Sequence, residues 1–192
     1  MKKLMLAAVI AATLTTGISN AKADDYVIDI EGQHAFIQFK ISHMGYSWLL
    51  GEFTDFEGSF SYDEANPSAA KVSVTIDTNS LDSNHAERDK HLRGEDFLDT
   101  ASYPEATFVS TSYSPNEDGT AALTGDLTLH GVTQSITIDV REVGAGNDPW
   151  GGFRRGFEGS TTLTLADFGI DYDLGPAART VEMYLSIEGV RQ

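Results

Sequence analysis

The sequence predicts an all-β chain, an antiparallel sandwich or barrel with one short helix. Three observations predict it. Apolar residues recur with period two through most of the chain, Thr and aromatic residues are frequent in those runs, and turn-forming clusters separate them. With 192 residues, 41% of them hydrophobic, the chain is long enough for one domain with a sizeable core.

Residues 1–23 read as a secretory signal peptide. Lys2 and Lys3 form a basic start, Leu4 to Ile18 a short apolar run, and Ala21-Lys22-Ala23 a small-x-small cleavage site. The run is too short for a membrane span. Residues 24–192 then form the mature domain. Removing Lys2, Lys3 and Lys22 leaves 10 basic against 29 acidic residues, a net charge of −19. The expected product is an exported, acidic protein of the periplasm.

The strands follow in order. Ala35, Ile37, Phe39 and Ile41 share one face, against His34, Gln38 and Lys40. Val72, Val74 and Ile76 alternate with Lys71, Ser73, Thr75 and Asp77. Leu127 and Leu129 alternate with Asp126, Thr128 and His130, and Ile136, Ile138 and Val140 with Thr137 and Asp139. Leu163 and Leu165 repeat the pattern, and Val181, Met183, Leu185 and Ile187 end it. Asn66-Pro67, the Ser114–Gly119 stretch and His130-Gly131 supply turns. About eight strands result, and a barrel would remove their exposed edges.

Residues 84–93 (NHAERDKHLR) are polar, lack Gly and Pro, and predict the helix. Asn84 is its expected N-cap with Glu87 as a capping-box partner, and Gly94 its stop. The helix is expected across or beside a barrel mouth. The 144–159 stretch, with six glycines and Trp150, reads as a mobile hairpin or lid.

Composition excludes several functions. There is no cysteine, hence no disulfide, Cys-ligated metal or cysteine nucleophile. The acidic balance lacks the basic footprint of nucleic-acid binding. No phosphate loop, nucleophile elbow or HExxH motif is present. His43, His85, His91 and His130 show no ligand spacing, so no metal is expected. The basic residues cluster in two places. Arg88, Lys90 and Arg93 lie with His85 and His91 on the helix, and Arg154 and Arg155 in the glycine-rich stretch. Each group is a candidate anion site, weighed against simple pairing with neighbouring acids. The many aromatics suit either a filled barrel core or the lining of a cavity for an apolar ligand.

A set of motifs in fixed order carries a resemblance. They are His34–His43 (HAFIQFKISH), Phe53–Gly58, Arg88-Asp89-x-His91-Leu92, Asp96–Asp99, Tyr103-Pro104-x-x-x-Phe108, Gly125–Thr133 and Asp167–Ile170. Together they resemble the YceI family of polyisoprenoid-binding, lipocalin-like proteins, most of all its periplasmic type 1 subfamily. One departure is Ala35, where many members have Ser.

The resemblance implies an extended eight-stranded antiparallel lipocalin-like barrel with one short helix. It also implies an apolar tunnel for a long-chain isoprenoid or similar amphiphile, with binding, transport or storage as the function. No catalytic residue and no cofactor are implied beyond a bound isoprenoid or quinone-like lipid. A cytochrome b561-type membrane protein is the implied partner, and a two-fold homodimer the prior expectation for assembly.

The tunnel-lining candidates are Ile37, Phe39, Ile41, His43, Tyr46, Trp48, Phe53, Phe97, Tyr103, Phe108, Leu127, Leu129, Trp150, Phe157 and Phe168. Arg88, His91 and Arg93 are the candidates for holding a polar head. A 40-carbon chain at about −0.3 kcal/mol per heavy atom would bind with on the order of −12 kcal/mol. The alternatives are a structural, stress-response or redox partner of a membrane cytochrome with a solid barrel, and an enzyme using His43 as base.

Overall fold

The computed structural model describes residues 23–192, so the expected signal peptide lies almost wholly outside the described residues. Among the described residues eleven strands form: β1 (Asp24–Ile28), β2 (Phe36–His43), β3 (Ser47–Phe53), β4 (Phe56–Tyr62), β5 (Lys71–Asp77), β6 (Leu81–Asp82), β7 (Glu105–Pro115), β8 (Thr120–Leu129), β9 (Val132–Asn147), β10 (Phe153–Thr164) and β11 (Thr180–Arg191). The helix α1 spans Ala86–Leu92. Every pairing is antiparallel. The order β1-β4-β5-β7-β8-β9-β10-β11 closes through β1 on β11 into an eight-stranded barrel.

Three of the eight staves are broken. β1 pairs with Gly189–Arg191 of β11, and β2 with Val181–Ser186 of the same strand, so they are two halves of one stave. β3 and β4 are likewise split at residues 54–55, and β5 and β6 by a 3-10 turn at Thr78–Ser80. Breaks let a long, twisted stave bend with the wall.

The alternation read from the sequence is the alternation of burial. Ile37, Phe39, Leu127, Leu129, Ile138, Val140, Leu163 and Val181 are all buried. The His130-Gly131 turn joins β8 to β9 with both residues at positive φ (51° and 72°), the geometry that matches strand twist in a two-residue hairpin. Tyr103 lies where a side chain on Gly131 would stand. The glycine-rich stretch is the paired β9–β10 hairpin, its tip at residues 148–152.

One detail of the helix differs from expectation. Asn84 takes φ 61° in a left-handed turn, and the chain enters the helix one residue later. His85 is therefore the N-cap, its Nδ1 accepting from the Arg88 N–H at 3.2 Å. The helix is tied to β6 by a buried network. The Asp89 carboxylate accepts from the Ser83 N–H at 2.8 Å and from the Ser83 hydroxyl, while Arg88 donates to Ser83 and Arg93 to the Leu81 carbonyl.

The barrel has two unlike ends. Leu81, Phe97, Leu129, Phe168 and Ile170 pack together at the end that carries α1. At the other end, Tyr26, Phe60, Phe157, Tyr62 and Tyr113 form a chain of ring contacts.

Candidate functional site

Between these ends lies a cavity of about 150 Å³. Its walls are side chains from most of the staves. Val72, Val74 and Ile76 come from β5, Phe108 and Tyr113 from β7, and Leu123 and Leu127 from β8. Ile136, Ile138 and Val140 come from β9, and Met183, Leu185 and Ile187 from β11. The lining is almost wholly aliphatic and aromatic. An apolar cavity offers water few hydrogen bonds and stays dry. At about 30 Å³ per water it has room for about five waters. That is smaller than most ligand pockets, about 300–1,000 Å³.

Close backbone approach makes part of this shape. The Phe108 ring lies over Gly125 on β8, where a Cβ would meet its Cζ at 2.5 Å. A bulge at Ser110/Ser112 then shifts the phase of β7. Ala106, Phe108 and Ser110 face inward before it, and Tyr113 after it.

The Arg155 end is polar at its rim. Arg155 is 3% exposed on β10. Its Nη1 donates to Glu142 at 2.7 Å, its Nη2 to Glu64, and its Nε to the Tyr26 hydroxyl at 3.4 Å. Burial pushes the Tyr113 phenol up to about 12, and burial with the Glu142 charge raises that of Tyr62. Both phenols are donors at neutral pH.

On the outer wall, Arg154 joins three carboxylates: Asp29, Glu188 and, at 2.9 Å, Asp148. Asp29, His34 and Glu188 place ligand atoms within 4.8 Å of one another, as a metal site would. The Arg154 guanidinium already fills the cation position between the two carboxylates. Arg154 and Arg155 are thus ion-paired, which argues against a free anion site there.

The sequence candidates separate into groups. Ile37, Phe108, Leu127 and Phe157 line the cavity. Phe39, Phe97, Leu129 and Phe168 are buried in the main apolar cluster, with Ile41 and Phe53 packed on it, and do not border the cavity. Tyr103 packs edge-on against His130. His43, Tyr46, Trp48 and Trp150 are exposed and stand outside the cavity, Tyr46 at 83% and Trp150 at 77%. Four of the fifteen lining candidates thus border this cavity.

The head-group candidates are also placed elsewhere. Arg88 and Arg93 are spent on Ser83 and the Leu81 carbonyl. His91 contacts Asp96 at 3.2 Å and packs against Phe97 and Tyr172. All three lie at the α1 end, away from the cavity.

Sequence reasoning missed Tyr62, Tyr113, Glu142 and the inward aim of Arg155. The phase of β9, carried from Ile136 through Ile138 and Val140, points to Glu142. The phase of β10, carried back from Leu163, points to Arg155.

Comparison with known proteins agrees with this architecture. Residues 26–189 match the YceI-like domain. A UPF0312 protein of Pseudomonas paraeruginosa is 59% identical over 192 residues, covering all of both chains. Among solved structures, the Campylobacter jejuni YceI protein superposes with a TM-score of 0.71 at 26% identity, over 79% of this chain and 90% of that one. A polyisoprenoid binding domain from Saccharophagus degradans superposes with a TM-score of 0.64 at 18% identity, over 87% and 98%. BcnA of Burkholderia cenocepacia has a TM-score of 0.73 at 22% identity, over 84% and 98%. With the closed barrel, its interior cavity and the matched residues together, this chain belongs to the family of YceI-like domain proteins.

Proposed function

We propose that the protein binds the apolar chain of an isoprenoid or similar amphiphile inside the barrel, as a non-catalytic carrier or store in the periplasm. One observation carries this reading: a closed barrel that keeps an apolar cavity where a solid core would be more stable. A void leaves its lining without partner atoms, so retaining one favours an apolar guest. The guest is driven in by removal of its surface from water, about 0.8 kcal/mol for each buried CH₂.

The cavity sets a size. At about 150 Å³ it matches an apolar cavity that takes benzene, which is on the order of one isoprene unit. A longer chain displaces lining side chains or extends through an end of the barrel. The description of the Saccharophagus degradans domain as polyisoprenoid binding supports the ligand class, and the expected signal peptide supports the compartment.

A second reading rests on the outer face of the β2–β3 hairpin. Met44, Tyr46, Trp48 and Leu50 are all more than half exposed there. Such a face suits docking on a membrane-bound partner of the cytochrome b561 type or on a second copy of the chain.

The test is native mass spectrometry of the mature protein isolated gently from its own periplasm, followed by solvent extraction. A bound isoprenoid lipid, one per chain, is the expected result. A clean unliganded mass, with no uptake of added isoprenoids or quinones, contradicts the carrier reading and favours the docking one.

A further inference from the structure

The two ends of the barrel are closed by different means. At the Arg155 end, β1 seals the wall by pairing with both β4 and β11. At the α1 end the ladder is incomplete. One edge of β3 pairs with β2 along its length, and the other pairs only at Glu52 and Phe53, with the two residues of β6. Among the described residues no pairing joins β6 to β7. The chain between them is α1 and residues 93–104.

A strap crosses this end. It runs from the 3-10 turn at Leu165–Phe168, which packs on β9 and β10, to the 3-10 turn at Pro176–Ala178, which packs on β2. Buried Ile170 and Ala178 fix its two ends. Between them, the backbone of residues 171–174 makes no backbone hydrogen bond among the described residues. Tyr172 is what holds it down. Its ring packs on Phe97 and on His91 of α1, with centroids 5.0 Å and 5.7 Å away. Phe97 in turn is buried in the main apolar cluster, while Tyr172 is half exposed. A segment with few buried contacts and no hydrogen-bonded backbone opens at low cost. Opening the other end would break the β1 pairings and the Arg155 ion pairs.

Resting on the carrier reading above, we propose that the α1 end is the portal of the barrel: residues 171–174 are a cover latched by Tyr172, and the guest enters and leaves when Tyr172 swings off His91 and Phe97. Phe97 stands on the 93–104 connection and not on a strand, so it moves aside without loss of strand pairing. Leu129 and Phe168, which pack with it, are apolar, so a hydrocarbon passes them without stripping a charge of its partner. The Arg155 end stays shut.

The chain has no cysteine, so introduced thiols are the sole sites of reaction. In His91→Cys/Tyr172→Cys, bis-maleimidoethane tethers the strap to α1. In Asp24→Cys/Arg191→Cys, an ion-paired couple 3.1 Å apart beside the β1–β11 closure, the same reagent tethers the opposite end. The probe is retinol, an isoprenoid alcohol whose fluorescence rises in apolar surroundings, followed by stopped flow. Each variant is compared with itself before bridging, with the bridge checked by mass and folding by circular dichroism. The strap bridge is expected to slow entry at least about tenfold, and bridging after loading to slow exit by as much. The β1–β11 bridge is expected to leave both rates within about twofold. Tyr172→Ser, which frees the latch, is expected to speed entry and exit alike, several-fold, with equilibrium affinity within about twofold.

Entry and exit unchanged by the strap bridge overturn the portal. So does a β1–β11 bridge that slows them as much or more, or a folded Tyr172→Ser protein whose rates do not rise. In each of these cases retinol still binds, and the carrier reading stands. Retinol that fails to bind the unaltered protein overturns the carrier reading and the portal with it.

Discussion

The guanidinium of Arg155 lies over the ring of Tyr62, its central carbon 4.5 Å from the ring centroid. A cation over an aromatic face is attracted by the ring quadrupole, more strongly where water is excluded. The contact joins β10 to β4 across the end of the barrel and sets where the apolar cavity stops. Charge lies beyond it, toward Glu64 and Glu142, and hydrocarbon before it.

Arg155→Met keeps most of the volume and removes the charge. Glu142 and Glu64 are one-third and three-quarters exposed, so neither becomes a dry, stranded carboxylate. The expected cost is about 1–3 kcal/mol, from the lost charge-assisted hydrogen bonds and the cation–π contact. Urea unfolding measures it.

Phe108→Trp enlarges a lining side chain into the cavity. Isoprenoid uptake is expected to fall at least tenfold, with stability within about 1–2 kcal/mol because the void absorbs part of the added volume. Trp48→Ser, on the exposed β2–β3 hairpin, is expected to leave uptake unchanged and stability within about 0.5 kcal/mol. Parallel titrations and unfolding curves compare the two.

Chain length should matter up to the size of the cavity. Affinity is expected to rise while each added group still leaves water inside the barrel, and to level off once further units protrude. A series of prenyl ketones of increasing length, titrated by calorimetry, checks it.

Asp29 is held down to a pKa of about 2, first by the hydrogen bond with His34 at 3.0 Å and then by Arg154. A carboxyl depressed in the fold contributes stability that is fully present above its unfolded pKa, near 4, and is lost as pH falls toward 2. The contribution is on the order of 1–2 kcal/mol after allowance for solvent screening. Denaturant unfolding from pH 5 to pH 2 is expected to show this loss, and Asp29→Asn to remove that part of the slope.

Asp89→Ala breaks the network that ties α1 to β6. Burial pushes the Asp89 carboxyl up, but hydrogen bonds from Ser83 and the charges of Arg93 and Arg88 outweigh it and lower the pKa. Loss of the carboxylate leaves the Ser83 N–H and hydroxyl without their acceptor and Arg88 and Arg93 without the nearby negative charge, at an expected cost of about 2–4 kcal/mol. Thermal unfolding measures it. Isoprenoid uptake by the folded fraction is expected to persist, since α1 does not touch the cavity.

Much of the barrel was legible in the sequence because half-buried strands write their period in it. The inward faces of β5, β8, β9 and β11 and the His130-Gly131 turn follow from pattern and turn chemistry alone. Trp48 was legible too. It alternates with Leu49, which pairs with inward-facing Ile41, so parity places Trp48 outside. Aromatic identity outweighed parity in assigning it to the lining. Tyr113 was not legible, because counting by twos from Phe108 puts it outside, and only the bulge turns it in. Nor does the sequence show where the core stops and the cavity begins. Phe39 and Leu127 share composition and burial, and differ only in what the opposite wall leaves unfilled.

The most direct test is a crystal structure of the mature protein grown with farnesylacetone. The expected result is density for the chain between Phe108, Leu127 and Ile138. Density on the outer β2–β3 face, or an unaltered cavity at saturating lipid, would contradict it.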